Sequence, residues 1–67
     1  MIDIEKNFTY HAPSPDQANR YETIRLFCKR AAEIIDSRCP ESREKSLAMT
    51  KLEEAVMWAN AAIARNE

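Results

Sequence analysis

Apolar residues recur at three- and four-residue intervals along two long stretches of this chain, and at no sustained interval in the thirteen residues before them. Residues 1–13 therefore read as an arm, closed by Pro13. A helix start follows at Ser14-Pro15-Asp16-Gln17. Ser14 supplies a capping hydroxyl, Pro15 sits where no donor is missed, and Gln17 stands where a capping box wants it. From there Tyr21, Ile24, Cys28, Ala31 and Ile35 form a stripe, which Phe27 and Ile34 widen into a core-facing surface ending near Ser37. Pro40 closes this helix, because the residue before a proline avoids helical angles. A second helix is expected from about Glu41 to Asn66. So short a connection makes the two helices pack antiparallel, as an αα-hairpin. On the second helix Ala48, Leu52, Ala55, Ala59 and Ala62 form a small-residue seam expected to face the first. The expected fold is all-α and single-domain: an arm or short helix (1–13) packed on a long hairpin (14–67).

The pattern breaks down between Ala55 and Ala64, ten residues with Asn60 as the single polar member. A helix apolar all round is normally buried all round, and one partner helix with a short arm cannot surround it. Met57, Trp58 and Ile63 are thus expected at contacts between copies of the chain. The bland alternative is that the alanines tolerate exposure and the large residues are isolated. Size points the same way, because 67 residues bury a modest fraction of their surface and small folds need a staple.

Composition removes the other staples. Cys28 and Cys39 lie eleven positions apart, about 16 Å along a helix, too far for a mutual disulfide. With them stands one histidine, which falls short of the clustered ligands of a structural zinc site. Self-association remains. Ten basic residues against eleven acidic give a net charge of -1, without the excess that a DNA or RNA backbone asks of its binder. No apolar run is long enough to span a bilayer, and Asp3, Glu5 and Lys6 interrupt any secretory signal, so a cytoplasmic location is expected. Glycine is absent, which excludes the P-loop, the dinucleotide fingerprint and the nucleophile elbow.

Catalytic chemistry finds little footing. His11 is the sole histidine, and Glu53 and Glu54 point about 100° apart on a helix, so the pair reads as a solvated face with Lys51 beside Glu54. Anion binding has more support, at two places. At the start of the second helix, backbone N–H groups, Ser42, Ser46, Arg43 and Lys45 can converge on a phosphate, although Glu41 and Glu44 make an ordinary mixed-charge helix start the slightly weightier reading. At the other end, Tyr10, His11 and Pro13 of the arm approach Arg20 and Arg25, a set of flat rings and guanidinium groups suited to a stacked nucleobase and its phosphate. Against this, Phe8 and Tyr10 suit tucking the arm onto the hairpin, which is the commoner role of such residues.

Two strings resemble a known family. Thr50-Lys51-Leu52-Glu53-Glu54-Ala55-Val56-Met57-Trp58-Ala59-Asn60-Ala61-Ala62-Ile63-Ala64-Arg65, within the stretch from Pro40 to Asn66, is similar to the closing helix of the phage anti-CBASS sponge family. Arg20-Tyr21-Glu22-Thr23-Ile24-Arg25, after His11-Ala12-Pro13, resembles its first long helix. That family shares its helical hairpin with a phage anti-Thoeris protein. The resemblance implies a homo-oligomer, hexameric in the family, that acts in the cytoplasm of an infected bacterium. There it would capture cyclic dinucleotide messengers between protomers, and, as in some members of the family, cyclic trinucleotides at separate sites, without cleaving them. No catalytic residue, metal or cofactor is then required, and neither DNA nor a membrane is a partner. Tyr21 and Arg65, inside the matching strings, join Tyr10, His11, Pro13, Arg20, Arg25, Arg43 and Lys45 as candidate ligand positions. One other reading stays open, a helical-hairpin adaptor that docks a protein through Met57 and Trp58; a phosphodiesterase acting on the same messengers is disfavoured by the single histidine and the lack of a metal cluster.

Overall fold

The structure, a computed structural model, describes residues 2–67; Met1, the first residue of the expected arm, lies outside the described residues. Three helices follow in order: α1 (Ile4–Phe8), α2 (Pro15–Arg38) and α3 (Arg43–Asn66). The arm is thus partly helical. Asp3 caps α1 by accepting from the Lys6 backbone N–H at 3.0 Å, enough to wind one short turn where the sequence has no period.

α2 begins as its capping box dictates. The Gln17 N–H donates to Ser14 Oγ at 3.2 Å, and the Ser14 N–H donates to Gln17 Oε1 at 3.0 Å. It ends at Arg38, one residue beyond the expected Ser37, with Cys39 as its C-cap. α3 starts two residues later than the expected Glu41. The reason is Ser42, whose Oγ accepts from the Lys45 N–H at 3.1 Å and so fixes the N-cap, leaving Glu41 in the turn.

α2 and α3 pack against each other as an antiparallel hairpin. The molecule measures 42 × 29 × 13 Å, so its thinnest dimension is that of one helix with side chains. A single helical layer can enclose little. Among the described residues Ile63, 9% exposed, is the one buried apolar side chain, and Lys45 the one buried charged side chain.

The stripe on α2 is as the sequence predicts at Tyr21, Ile24, Cys28, Ala31 and Ile35, all half-buried. Its expected widening is not. Phe27 is 69% exposed and Ile34 also faces outward, because one partner helix covers only a narrow strip of α2. The seam on α3 is rotated from the alanine line. Ala48, Ala55 and Ala62 are exposed, while Met49, Leu52, Val56, Ala59, Asn60 and Ile63 turn toward α2. Burying the larger side chains removes more apolar surface from water than burying methyl groups, and this sets the rotation of the helix. Ile63, expected at contacts between copies, is therefore enclosed within one hairpin.

Much apolar surface stays outside. Trp58 is 64% exposed and Met57 equally so, with Leu26, Phe27, Ile34 and Leu47 elsewhere on the hairpin. The arm does not tuck its apolar groups onto the hairpin as expected. Ile2, Ile4, Phe8 and Tyr10 are all open, since the short α1 finds no groove deep enough within one layer.

Candidate functional site

The hairpin has a tip, where α2 turns into α3, and an open end, where the arm meets the start of α2 and the finish of α3. The tip is held by Lys45. Its Nζ donates to the Asp36 carbonyl at 3.0 Å and pairs with Asp36 Oδ1 at 3.1 Å and Glu41 Oε1 at 2.5 Å. A cation in the first turn of a helix is opposed by the macrodipole, and these acids offset that cost. The hydrogen bond to Glu41, and then that to Asp36, raises the Lys45 pKa above the ordinary lysine range. Lys45 is thereby committed to the turn, as an ordinary mixed-charge helix start would have it, and is not free to act as the phosphate ligand for which it was a candidate. Ser42 is likewise occupied, capping α3 and donating to the Pro40 carbonyl at 3.1 Å. Arg43 remains exposed at the tip and forms no ion pair among the described residues.

The open end gathers most of the other candidates. Tyr10 and His11, from the chain leaving α1, line a cavity of about 770 Å³ with Lys6, Ala12, Gln17, Ala64, Arg65, Asn66 and Glu67. Beside it Tyr21, Arg25, Asn60, Ala61, Ala64 and Arg65 line a cleft of about 370 Å³. Ala64 and Arg65 belong to both walls, so the two spaces adjoin. Five of the nine candidate ligand positions, Tyr10, His11, Tyr21, Arg25 and Arg65, thus share one composite site. Pro13, in the link between arm and α2, is exposed and lines neither space. Arg43 and Lys45 sit at the opposite end, about 27 Å away along α2 from Arg20 to Arg38.

The guanidinium groups differ in how free they are. Arg25 Nη1 lies 3.2 Å from Glu22 Oε1, an exposed pair one helical turn apart that water competes with. Arg65 makes no ion pair among the described residues. Arg20 is engaged: its two terminal nitrogens grip the Glu67 carboxylate, Nη1 at 2.8 Å from Oε2, while Nε lies 3.1 Å from Asp16 Oδ2. Hydrogen bonding between them raises the Arg20 pKa and lowers that of Glu67.

Asn60 is the site residue that pattern reasoning passed over. Its carboxamide oxygen is buried with no hydrogen-bond donor among the described residues, beside Tyr21 and Arg65. Buried polar atoms are normally paired, so an unpaired acceptor in a cleft wall marks a position that a donor can fill. Its signal in the sequence is that it alone is polar between Ala55 and Ala64. A third groove of about 360 Å³ runs along the hairpin from Arg25, floored by Cys28, Ala32, Met49, Leu52 and Val56. No group of His, Cys, Asp and Glu able to hold a metal occurs among the described residues.

The family described as Acb2/Tad1, hairpin domain, matches residues 1–64, which takes in the arm, α2 and nearly all of α3. The chain belongs to the Acb2/Tad1 hairpin family. This is the anti-CBASS and anti-Thoeris sponge family that its two strings resemble, and membership implies a phage anti-defence role. No curated protein and no solved structure matches the chain. As an Acb2/Tad1 hairpin, the chain is a two-helix layer with candidate ligand positions at both ends and an apolar groove along its length. No helix among the described residues is long and apolar enough to cross a membrane.

Proposed function

We propose that this protein sequesters cyclic oligonucleotide messengers of bacterial immunity, binding cyclic dinucleotides at the open end of the hairpin and releasing them chemically intact. The observation that carries this reading is the composite site itself: Tyr10, His11 and Tyr21 supply rings, and Arg25 and Arg65 supply guanidinium groups, around two adjoining spaces. A cyclic dinucleotide presents two flat bases and two phosphodiester charges. The rings offer stacking faces, the guanidinium groups offer forked donors, and Asn60 offers an acceptor for a base amino group.

A small-molecule site normally encloses most of its ligand, and a layer 13 Å thick cannot. The open end is therefore completed by a second copy, which the exposed Met57, Trp58 and Phe27 favour, and the working form is a homo-oligomer, taken here as a hexamer. The same uncovered surface would suit an adaptor, but an adaptor has no need of ringed and cationic walls at the open end. With Lys45 committed to the turn, a cyclic trinucleotide at the tip would rest on Arg43 from several copies. The site of action is the cytoplasm of the infected host, where these messengers are made.

Calorimetric titration with cyclic dinucleotides, cyclic trinucleotides and a linear dinucleotide tests the reading. Saturable binding of a cyclic form, with the linear form at least tenfold weaker, is expected. Binding of none of them returns the hairpin to the adaptor reading.

A further inference from the structure

The Arg20–Glu67 pair sits awkwardly for an anion site. Glu67 and Gln17 stand on the wall of the 770 Å³ cavity with Tyr10, His11 and Arg65, whereas Arg20 is not on that wall. The carboxylate stands on the cavity wall and is bonded to a guanidinium that does not line it. It is held there by both terminal nitrogens of Arg20 and, at 3.5 Å, by Gln17 Nε2. A guanidinium fork accepts a carboxylate and a phosphate with the same two parallel bonds, so the group Glu67 occupies is one that a phosphodiester can also use.

We infer that Glu67 is a built-in competitor for the anionic ligand: its carboxylate fills the Arg20 fork in the free protein, and an incoming phosphate displaces it. This rests on reading the open end as an anion site and adds its regulation. Displacement removes a negative charge from the cavity wall and brings a second guanidinium beside Arg65. Both partners are about two-fifths exposed, which leaves the pair weak enough to exchange. Asp16 Oδ2, 3.1 Å from Arg20 Nε, remains as a second acidic neighbour when Glu67 leaves.

The test uses the full chain, with inorganic pyrophosphate as probe and the side-chain Nε–H resonance of Arg20 as readout. In the wild type and in Glu67→Gln, which keeps the shape and removes the charge, pyrophosphate is expected to move that resonance. The midpoint should be about three- to tenfold lower in Glu67→Gln, the range set by an exposed ion pair plus relief of repulsion. Arg20→Ala placed on Glu67→Gln, followed at the Arg65 Nε–H resonance on the same cavity wall, should abolish the gain at unchanged helicity. Equal midpoints, or an Arg20 resonance that pyrophosphate leaves still, overturn the competition. A parallel titration with a cyclic dinucleotide separates the two ideas. Binding that is equal in both proteins without movement of Arg20 removes the competitor and leaves the messenger site standing. A pyrophosphate shift without cyclic dinucleotide binding keeps the competition and removes the messenger.

Discussion

Arg25→Ala is the most informative single change, because its effects on fold and on binding separate cleanly. In the free protein Arg25 makes one ion pair, to Glu22 at 3.2 Å, with both side chains more than half exposed. Pairs of this kind within a helix contribute about 0.3 to 0.5 kcal/mol, so helicity and oligomeric mass should survive the change. In the complex the picture differs. Arg25 stands at the junction of the cleft and the groove along the hairpin, and a phosphodiester there would take a charge-assisted contact worth about 1.5 to 3 kcal/mol. The expected loss is therefore about 10- to 150-fold in cyclic dinucleotide affinity. Arg25→Lys should recover part of it, since an ammonium keeps the charge and loses the fork. Calorimetry of the three proteins at one salt concentration reads the effect, with Lys51→Ala as control, because Lys51 meets Glu54 on a solvated face. If Arg25→Ala binds as tightly as the parent, the ligand does not use this cleft, and the grouping of Arg25 with Arg65 and Tyr21 carries no functional weight.

Other consequences follow from the same geometry. Trp58→Ala should leave the hairpin folded but weaken self-association by about thirtyfold or more, the loss of an interface aromatic worth about 2 kcal/mol, as read by native mass spectrometry against dilution. An unchanged mass distribution would place Trp58 outside any contact between copies. Lys45→Met should lower the melting temperature by freeing the turn, since it removes the partner of Asp36 and Glu41. Because the folded-state pKa of Lys45 is raised, its contribution is fully present below the ordinary lysine pKa of 10.5 and lost as pH rises through the higher folded value. The wild type should thus lose stability in strong base more steeply than Lys45→Met, in thermal melts across that range. Ser14→Ala removes the capping box of α2 and should cost about 1 kcal/mol, measured by urea denaturation.

How much of this was legible in the sequence depends on how local the cause is. The start of α2 was readable because Ser14 and Gln17 interact across three residues. The start of α3 was misplaced by two, because Pro40 and Glu41 suggested a boundary that the Ser42 hydroxyl overrides. The face of α3 was missed because periodicity alone fits Ala48-Ala55-Ala62 and Met49-Val56-Ile63 equally well, and only the area buried separates them. Lys45 and Glu41, four apart, could have been paired on helical spacing, whereas Asp36 reaches Lys45 only once the chain has turned back. Arg20 and Glu67 are forty-seven residues apart, and nothing short of the closed hairpin brings them together. The grouping of candidates at the open end was legible to the extent that rings and guanidinium groups fall at the two chain segments meeting there. Asn60 was hidden, since a lone polar residue in an apolar run looks the same whether it is paired or waiting for a donor.

The fate of a bound ligand tests the central claim most directly. The protein is mixed with a cyclic dinucleotide at a concentration that saturates it, separated from free ligand, and denatured by heat, and the released compound is identified by chromatography and mass. Stoichiometric recovery of the intact cyclic dinucleotide is the predicted result. Recovery of a linear product would make the protein a hydrolase, and recovery of nothing would mean that the open end of the hairpin does not hold the messenger at all.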